Sequence, residues 1–109
     1  MTPYDTFTKD TLHKVLSVVD NVTPVYVYDE GYLVHQITTL KGAFQSRDAP
    51  VPCNIRYAMK ALSNVNILKV FEREGLHFDC SSVYEVRRVI KTGVDPSKIE
   101  LVAQEITSQ

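Results

Sequence analysis

Apolar residues in this chain recur with two different periods. Over residues 5–20, Leu12, Val15, Leu16 and Val19 fall at helical spacing and predict a helix with one apolar face. Residues 21–24 interrupt it, between Asn21 and Pro24. Val25-Tyr26-Val27-Tyr28 is then β-branched and aromatic throughout, which predicts a short strand. Asp29 is placed to cap the next helix, with the acidic Glu30 in its first turn. Leu33, Ile37, Leu40 and Phe44 form the apolar stripe of that helix. Residues 46–52 contain Pro50, Pro52 and the Arg47-Asp48 pair, and predict a loop.

From residue 53 onward the pattern becomes regular. Residues 53–59 predict a strand. Residues 64–74 predict a helix with Ile67, Leu68 and Phe71 inward and Gly75 just past its end. Residues 76–80 predict a second strand. Residues 82–92 predict a second helix with Val86, Val89 and Ile90 inward, and Gly93 follows it. Asp95-Pro96-Ser97-Lys98 is a turn, and residues 99–103 predict a third strand. Tyr57, Phe78 and Leu101 mark the three strand centres at near-equal spacing. A strand–helix unit repeated in this way favours parallel strands joined by right-handed crossovers. The repeat stops after a strand and reads as unfinished.

Composition narrows this picture. The chain has 109 residues, 44% hydrophobic and 23% charged, the proportions of one globular domain. It is too short for a complete (β/α)₈ barrel, which takes about 250 residues. No apolar run is long enough to span a membrane, and residues 1–10 lack the apolar core of a secretory signal. Twelve basic and thirteen acidic residues leave a net charge of −1 and no basic stripe, so no nucleic acid partner is expected. Cys53 and Cys80 make neither a disulfide framework nor a metal motif, and a reducing cytoplasm is the expected compartment. His13, His35 and His77 are scattered without ligand spacing, so no metal is expected. The chain has neither a G-x-G-x-x-G nor a P-loop pattern, which argues against a nucleotide-binding Rossmann unit.

Three groups of residues could carry chemistry. Lys60 follows Tyr57-Ala58-Met59 and precedes Ala61-Leu62, at the end of a predicted strand. Apolar neighbours of that kind can strip water from an amine, and the neutral amine is a nucleophile toward carbonyl carbon. A lysine there can equally run its stem along those neighbours and keep its head in water. Asp79 ends the second strand on the same rim, where an acid could orient a lysine or a cofactor ring. Ser82 and Glu85 have the S-x-x-E spacing of a capping box, a structural role in which Glu85 reaches back to the Ser82 backbone N–H. Gln104 and Glu105 end the third strand at the corresponding rim position, or simply close the strand with polar residues. Cys80, beside Asp79, is either a reactive thiol or an inert buried one.

These residues resemble a family. Thr23-Pro24-Val25-Tyr26-Val27-Tyr28-Asp29 is similar to the T-P-x-Y-V-Y-D segment of the group IV (fold type III) pyridoxal-phosphate decarboxylases. Tyr57-Ala58-Met59-Lys60-Ala61 resembles their Y-A-x-K-A motif, whose lysine holds the cofactor as a Schiff base. His77-Phe78-Asp79-Cys80-Ser81-Ser82-Val83-Tyr84-Glu85 resembles their F-D-x-x-S-x-x-E motif. Order and spacing agree from residue 23 to the end.

The resemblance implies an α/β fold, a partial (β/α)₈ barrel of the alanine-racemase-like kind. It would comprise about three parallel barrel strands plus an N-terminal strand and helices. Residues 1–22 would be a helical segment, 23–52 a strand and helix, and 53–109 the first barrel strands. It also implies pyridoxal 5'-phosphate on Lys60, with Asp79 beside it, and Ser82, Glu85, Gln104 and Glu105 on the rim. The implied activity is α-decarboxylation of a small amino acid, foremost meso-diaminopimelate to lysine, by an enzyme that is a homodimer at full length. Ornithine, arginine or carboxynorspermidine are the other substrates the family offers. Leu62 departs from the Asn common after K-A, and Gln104-Glu105 departs from the usual third-strand ending. The family's Gly-rich phosphate loop, the acid for the pyridine nitrogen and the C-terminal β-domain have no counterpart in these 109 residues. Activity of this stretch alone is therefore not expected. A catalytically dead remnant that binds a partner, or a non-decarboxylating relative such as a racemase or cofactor-homeostasis protein, are the competing readings.

Overall fold

The computed structural model describes residues 7–19, 24–45 and 52–103. Helix α1 (Lys9–Val19) comes first, and Thr8 caps it by accepting the Thr11 N–H on its hydroxyl at 3.2 Å. Leu12, Val15, Leu16 and Val19 do share one face, but no α1 residue is buried. Val25-Tyr26-Val27-Tyr28 corrects the expectation of an N-terminal strand: the run belongs to no sheet and all four side chains are exposed. Strand propensity marks a surface suited to pairing, and among the described residues none pairs with it.

Helix α2 (Glu30–Phe44) starts as its sequence indicates, with the Asp29 carboxylate accepting the Tyr32 N–H at 2.7 Å. Only the middle of its stripe is covered: Ile37 is buried and Leu33 packs against the core, while Leu40 and Phe44 stay exposed. The α2 surface meets α3 through an ion pair of Glu30 with Arg73 at 2.6 Å and through the Lys41 amine on the Glu74 carbonyl.

The remainder is the repeating unit itself. Strand β1 (Arg56–Ala58), helix α3 (Val65–Arg73), strand β2 (His77–Cys80), helix α4 (Val83–Lys91), a short 3₁₀ turn (Pro96–Lys98) and strand β3 (Ile99–Leu101) follow in order. The strands form one parallel sheet in the order β1-β2-β3, with Tyr57 level with Phe78 and Phe78 level with Ile99. Asn64 and Asp95 cap α3 and the 3₁₀ turn with their side chains. Gly75 and Gly93 end α3 and α4 at φ of 79° and 92°, a left-handed backbone in which a Cβ is strained.

Alternation along β2 sorts the sheet into two faces. Phe78 and Cys80 are fully buried with Leu68 of α3, Val89 of α4 and Met59, and Phe71 of α3 is nearly so. Val86 packs at the edge of this core. Ile90, expected inward, is exposed, because α4 turns only the Val89 side of its stripe onto the sheet. The opposite face carries Arg56, Ala58, His77, Asp79 and Glu100. Among the described residues no helix is long and apolar enough to cross a membrane.

Candidate functional site

The C-terminal ends of β1 and β2 bring Lys60 and Asp79 to one end of the sheet. The Met59 N–H donates to the Asp79 carbonyl at 3.0 Å, so the ladder between the strands runs one residue past Ala58. A tight turn then follows, closed by the Ala61 N–H on the Ala58 carbonyl at 3.1 Å, and Lys60 lies on it. The Tyr57 hydroxyl donates to the Leu62 carbonyl at 2.7 Å, and its ring meets Phe71 edge-on at a centroid distance of 4.3 Å. Burial pushes the Tyr57 phenol up, against the opposing effect of the Leu62 bond, so it stays a donor at neutral pH. Beyond Leu62, Arg88 of α4 donates to both the carbonyl and the hydroxyl of Ser63, each at 3.2 Å. The turn carrying the amine is thus tied to the core before it and to α4 after it.

Lys60 itself is exposed, so of the two readings open for it the lysine that keeps its head in water is the one observed. Met59 turns into the core and Ala61 is itself exposed, so neither covers the ammonium group.

Asp79 is half-buried on the polar face, level with Ala58 on one side and Glu100 on the other. Among the described residues its carboxylate has no hydrogen bond or ion pair. The two other carboxylates nearby are both occupied. Glu85 accepts the Ser81 N–H at 2.6 Å and the Ser81 hydroxyl at 2.9 Å. Glu100 pairs with the Arg56 guanidinium at 3.0 Å.

Ser82 caps α4 by accepting the Glu85 N–H at 3.3 Å, in extended backbone geometry. The reciprocal bond differs from the expected one, since Glu85 reaches Ser81 and not the Ser82 N–H. At Ser81 the carboxylate takes both the N–H and the hydroxyl of one residue, while the Ser82 hydroxyl is engaged with the Glu85 N–H. Cys80 is fully buried, and its thiol is pushed up to about 11 by burial first and then by the charges of Glu85 and Asp79. It is therefore the inert thiol of the two alternatives. Gln104 and Glu105 lie outside the described residues.

Arg56, Glu100 and Arg88 were not singled out in the sequence, and Tyr57 only as a strand centre and motif residue. Arg56 and Glu100 stand one residue out of phase with the apolar positions of their strands, and that phase was the available signal. Nothing in the sequence pattern pairs Tyr57 with Leu62 or Arg88 with Ser63. Among the described residues no group of three or more His, Cys, Asp or Glu side chains is placed to hold a metal ion.

Lys60 and Asp79 thus lie at the C-terminal ends of adjacent parallel strands in a βαβαβ unit, the end at which barrel enzymes build their sites. The chain belongs to the pyridoxal-dependent decarboxylases: the family described as "Pyridoxal-dependent decarboxylase, pyridoxal binding domain" matches residues 31–109. The three parallel strands are accordingly strands of that domain's barrel. Among curated proteins it is 36% identical over 77 residues to diaminopimelate decarboxylase of Campylobacter jejuni, 38% to that of Helicobacter pylori strain J99 and 40% to that of Vibrio cholerae. Each match covers 71% of this chain and 18% of the relative, so the chain spans under a fifth of the length of these relatives.

Proposed function

We propose that this chain is the N-terminal part of a pyridoxal-phosphate-dependent amino-acid decarboxylase, with meso-diaminopimelate as substrate and lysine as product. The observation that carries the reading is the pairing of a solvent-accessible Lys60 amine with an unpartnered Asp79 carboxylate on adjacent strand ends. Both groups fit the cofactor: an accessible amine suits its carbonyl carbon, and a free carboxylate suits a cationic group beside it. Bound there, pyridoxal phosphate supplies an electron sink for the electron pair left when carbon dioxide departs.

The chain's own residues hold and orient. Lys60 would secure the cofactor through its carbonyl carbon, and Asp79 would orient the Lys60 amine or the ring. Tyr57 fixes the turn that bears Lys60. Ser82 and Glu85 hold the start of α4, and through Ser81 the end of the strand that bears Asp79. Gln104 and Glu105 belong to this reading as rim residues of the third strand. Residues 1–22, 23–52 and 53–109 would be a helical segment, a connecting segment with α2, and the opening of the barrel. The full protein would be a cytoplasmic homodimer acting on a small amino acid.

The test is covalent trapping. Borohydride reduction of the full protein with pyridoxal phosphate should fix the label on the peptide containing Lys60. Lys60→Ala should abolish both the label and carbon dioxide release from meso-diaminopimelate. A label on another lysine, or none, overturns the site. Release from ornithine or arginine but not from meso-diaminopimelate overturns the substrate.

A further inference from the structure

Among the described residues, two of the three carboxylates near the end of the sheet that carries Lys60, those of Glu85 and Glu100, are held by other groups, and the third, that of Asp79, has no hydrogen bond or ion pair. The polar face shows how this is achieved. Glu100 stands level with Asp79 on the neighbouring strand, and neighbouring strands lie about 4.8 Å apart. Like charges placed side by side in this way repel. Arg56 lies two strands from Glu100 and level with His77, yet its guanidinium reaches the Glu100 carboxylate at 3.0 Å. The ion pair therefore runs diagonally across β2 and binds the first strand of the sheet to the third. Both partners remain partly open to water, with side chains 36% and 51% exposed. Such a pair contributes little stability by itself.

We propose that Arg56 is a positioning residue for Asp79. By drawing the Glu100 carboxylate toward β1 and neutralising it, Arg56 separates two carboxylates that the register places side by side. Asp79 is then left unpaired and available to a ligand. The groups sharing this face are Arg56 from β1, His77 and Asp79 from β2, and Glu100 from β3. Lys60 follows β1, and the Glu85 carboxylate of α4 is already taken by Ser81. Among the described residues His77 makes no hydrogen bond or ion pair with Glu100, and its Nδ1 atom is buried without a partner. Arg56 is thus the cation that holds Glu100. The ligand side of this inference rests on the reading of Lys60 and Asp79 as a pyridoxal-phosphate site, whereas the charge arrangement does not.

A set of charge-removing variants of the full protein tests it, read by chemical denaturation at pH 7.5 and by pyridoxal phosphate titration. Arg56→Met should raise the unfolding equilibrium constant about tenfold, through the exposed repulsion of Asp79 and Glu100. Arg56→Lys should stay close to the parent protein. Adding either Glu100→Gln or Asp79→Asn to Arg56→Met should restore most of the loss, because either change removes the repulsion. Rescue by Asp79→Asn is the discriminating result, since Asp79 makes no contact with Arg56 that a simple surface ion pair would need. Glu100→Gln alone should free Arg56 to take Asp79 and weaken pyridoxal phosphate binding about tenfold, and Arg56→Met/Glu100→Gln should recover it.

If Asp79→Asn fails to rescue Arg56→Met, including by failing to restore folding, the inference is overturned. If the stability pattern holds but the parent protein takes up no pyridoxal phosphate, the cofactor reading fails. The charge arrangement then stands.

Discussion

Helices α1 and α3 carry comparable apolar stripes and meet opposite fates. In α1, Leu16 remains 61% exposed and nothing is buried. In α3, Leu68 is fully buried, and Val70 and Phe71 nearly so. The stripe says which side of a helix would be covered, not whether anything covers it. Helix α3 lies between two strands that it connects, so its apolar side is brought back onto the sheet by the connection itself. Helix α1 has no strand attached within the described residues, since the run after it enters no sheet. The difference lies in what the chain joins to each helix.

That comparison is open to test, and the largest effect expected is in the core beneath α3. Phe78→Ala should cost about 3–5 kcal/mol in denaturant unfolding of the full protein, because a fully buried ring leaves a cavity. Leu16→Ala should stay within about 0.5 kcal/mol, as for other exposed positions. A cost at Leu16 approaching that at Phe78 would show that α1 is covered after all.

The two cysteines give the next contrast. Cys80 should resist alkylation at pH 8 while the half-exposed Cys53 reacts, as followed by mass spectrometry. The sign of the linked stability follows from the raised thiol. Folding keeps Cys80 protonated, so its contribution is complete below the ordinary value of 9.0 and is lost as pH rises toward about 11. Cys80→Ala should flatten that part of the stability profile.

Glycines sharpen the comparison further. Gly93→Ala should cost about 1–2 kcal/mol, because φ is 92° there. Gly42→Ala, inside α2 with open space where a Cβ would go, should stabilise by up to about 1 kcal/mol. Equal signs for the two would refute the assigned backbone. At the cap of α4, Ser82→Ala should cost about 1 kcal/mol, measured in the same denaturation series.

Much of the candidate site was legible in advance. Lys60 and Asp79 were placed on one rim by the βα repeat alone, because parallel strands joined by helices put all their C-terminal ends on the same side. The exposure of Lys60 was one of two readings the sequence left open, and where Met59 turned decided between them. The route of Glu85 to Ser81 was missed for a related reason: spacing restricts a carboxylate to the first turn but does not choose between neighbouring N–H groups.

By itself, the amino-acid sequence determined the local devices of this protein. Asp29, Asn64, Ser82 and Asp95 start their turns, and Gly75 and Gly93 end theirs, because each acts through bonds or dihedral angles within four residues. The alternation of repeat units followed from hydrophobic period. Only the tertiary structure decided what lies between strands. It left Val25-Tyr26-Val27-Tyr28 outside the sheet, turned Ile90 to water, and joined Arg56 to Glu100 across β2. Each of these depends on strand register or on a partner far along the chain. A residue's own preference cannot specify either, because the free energy of pairing belongs to both surfaces that meet.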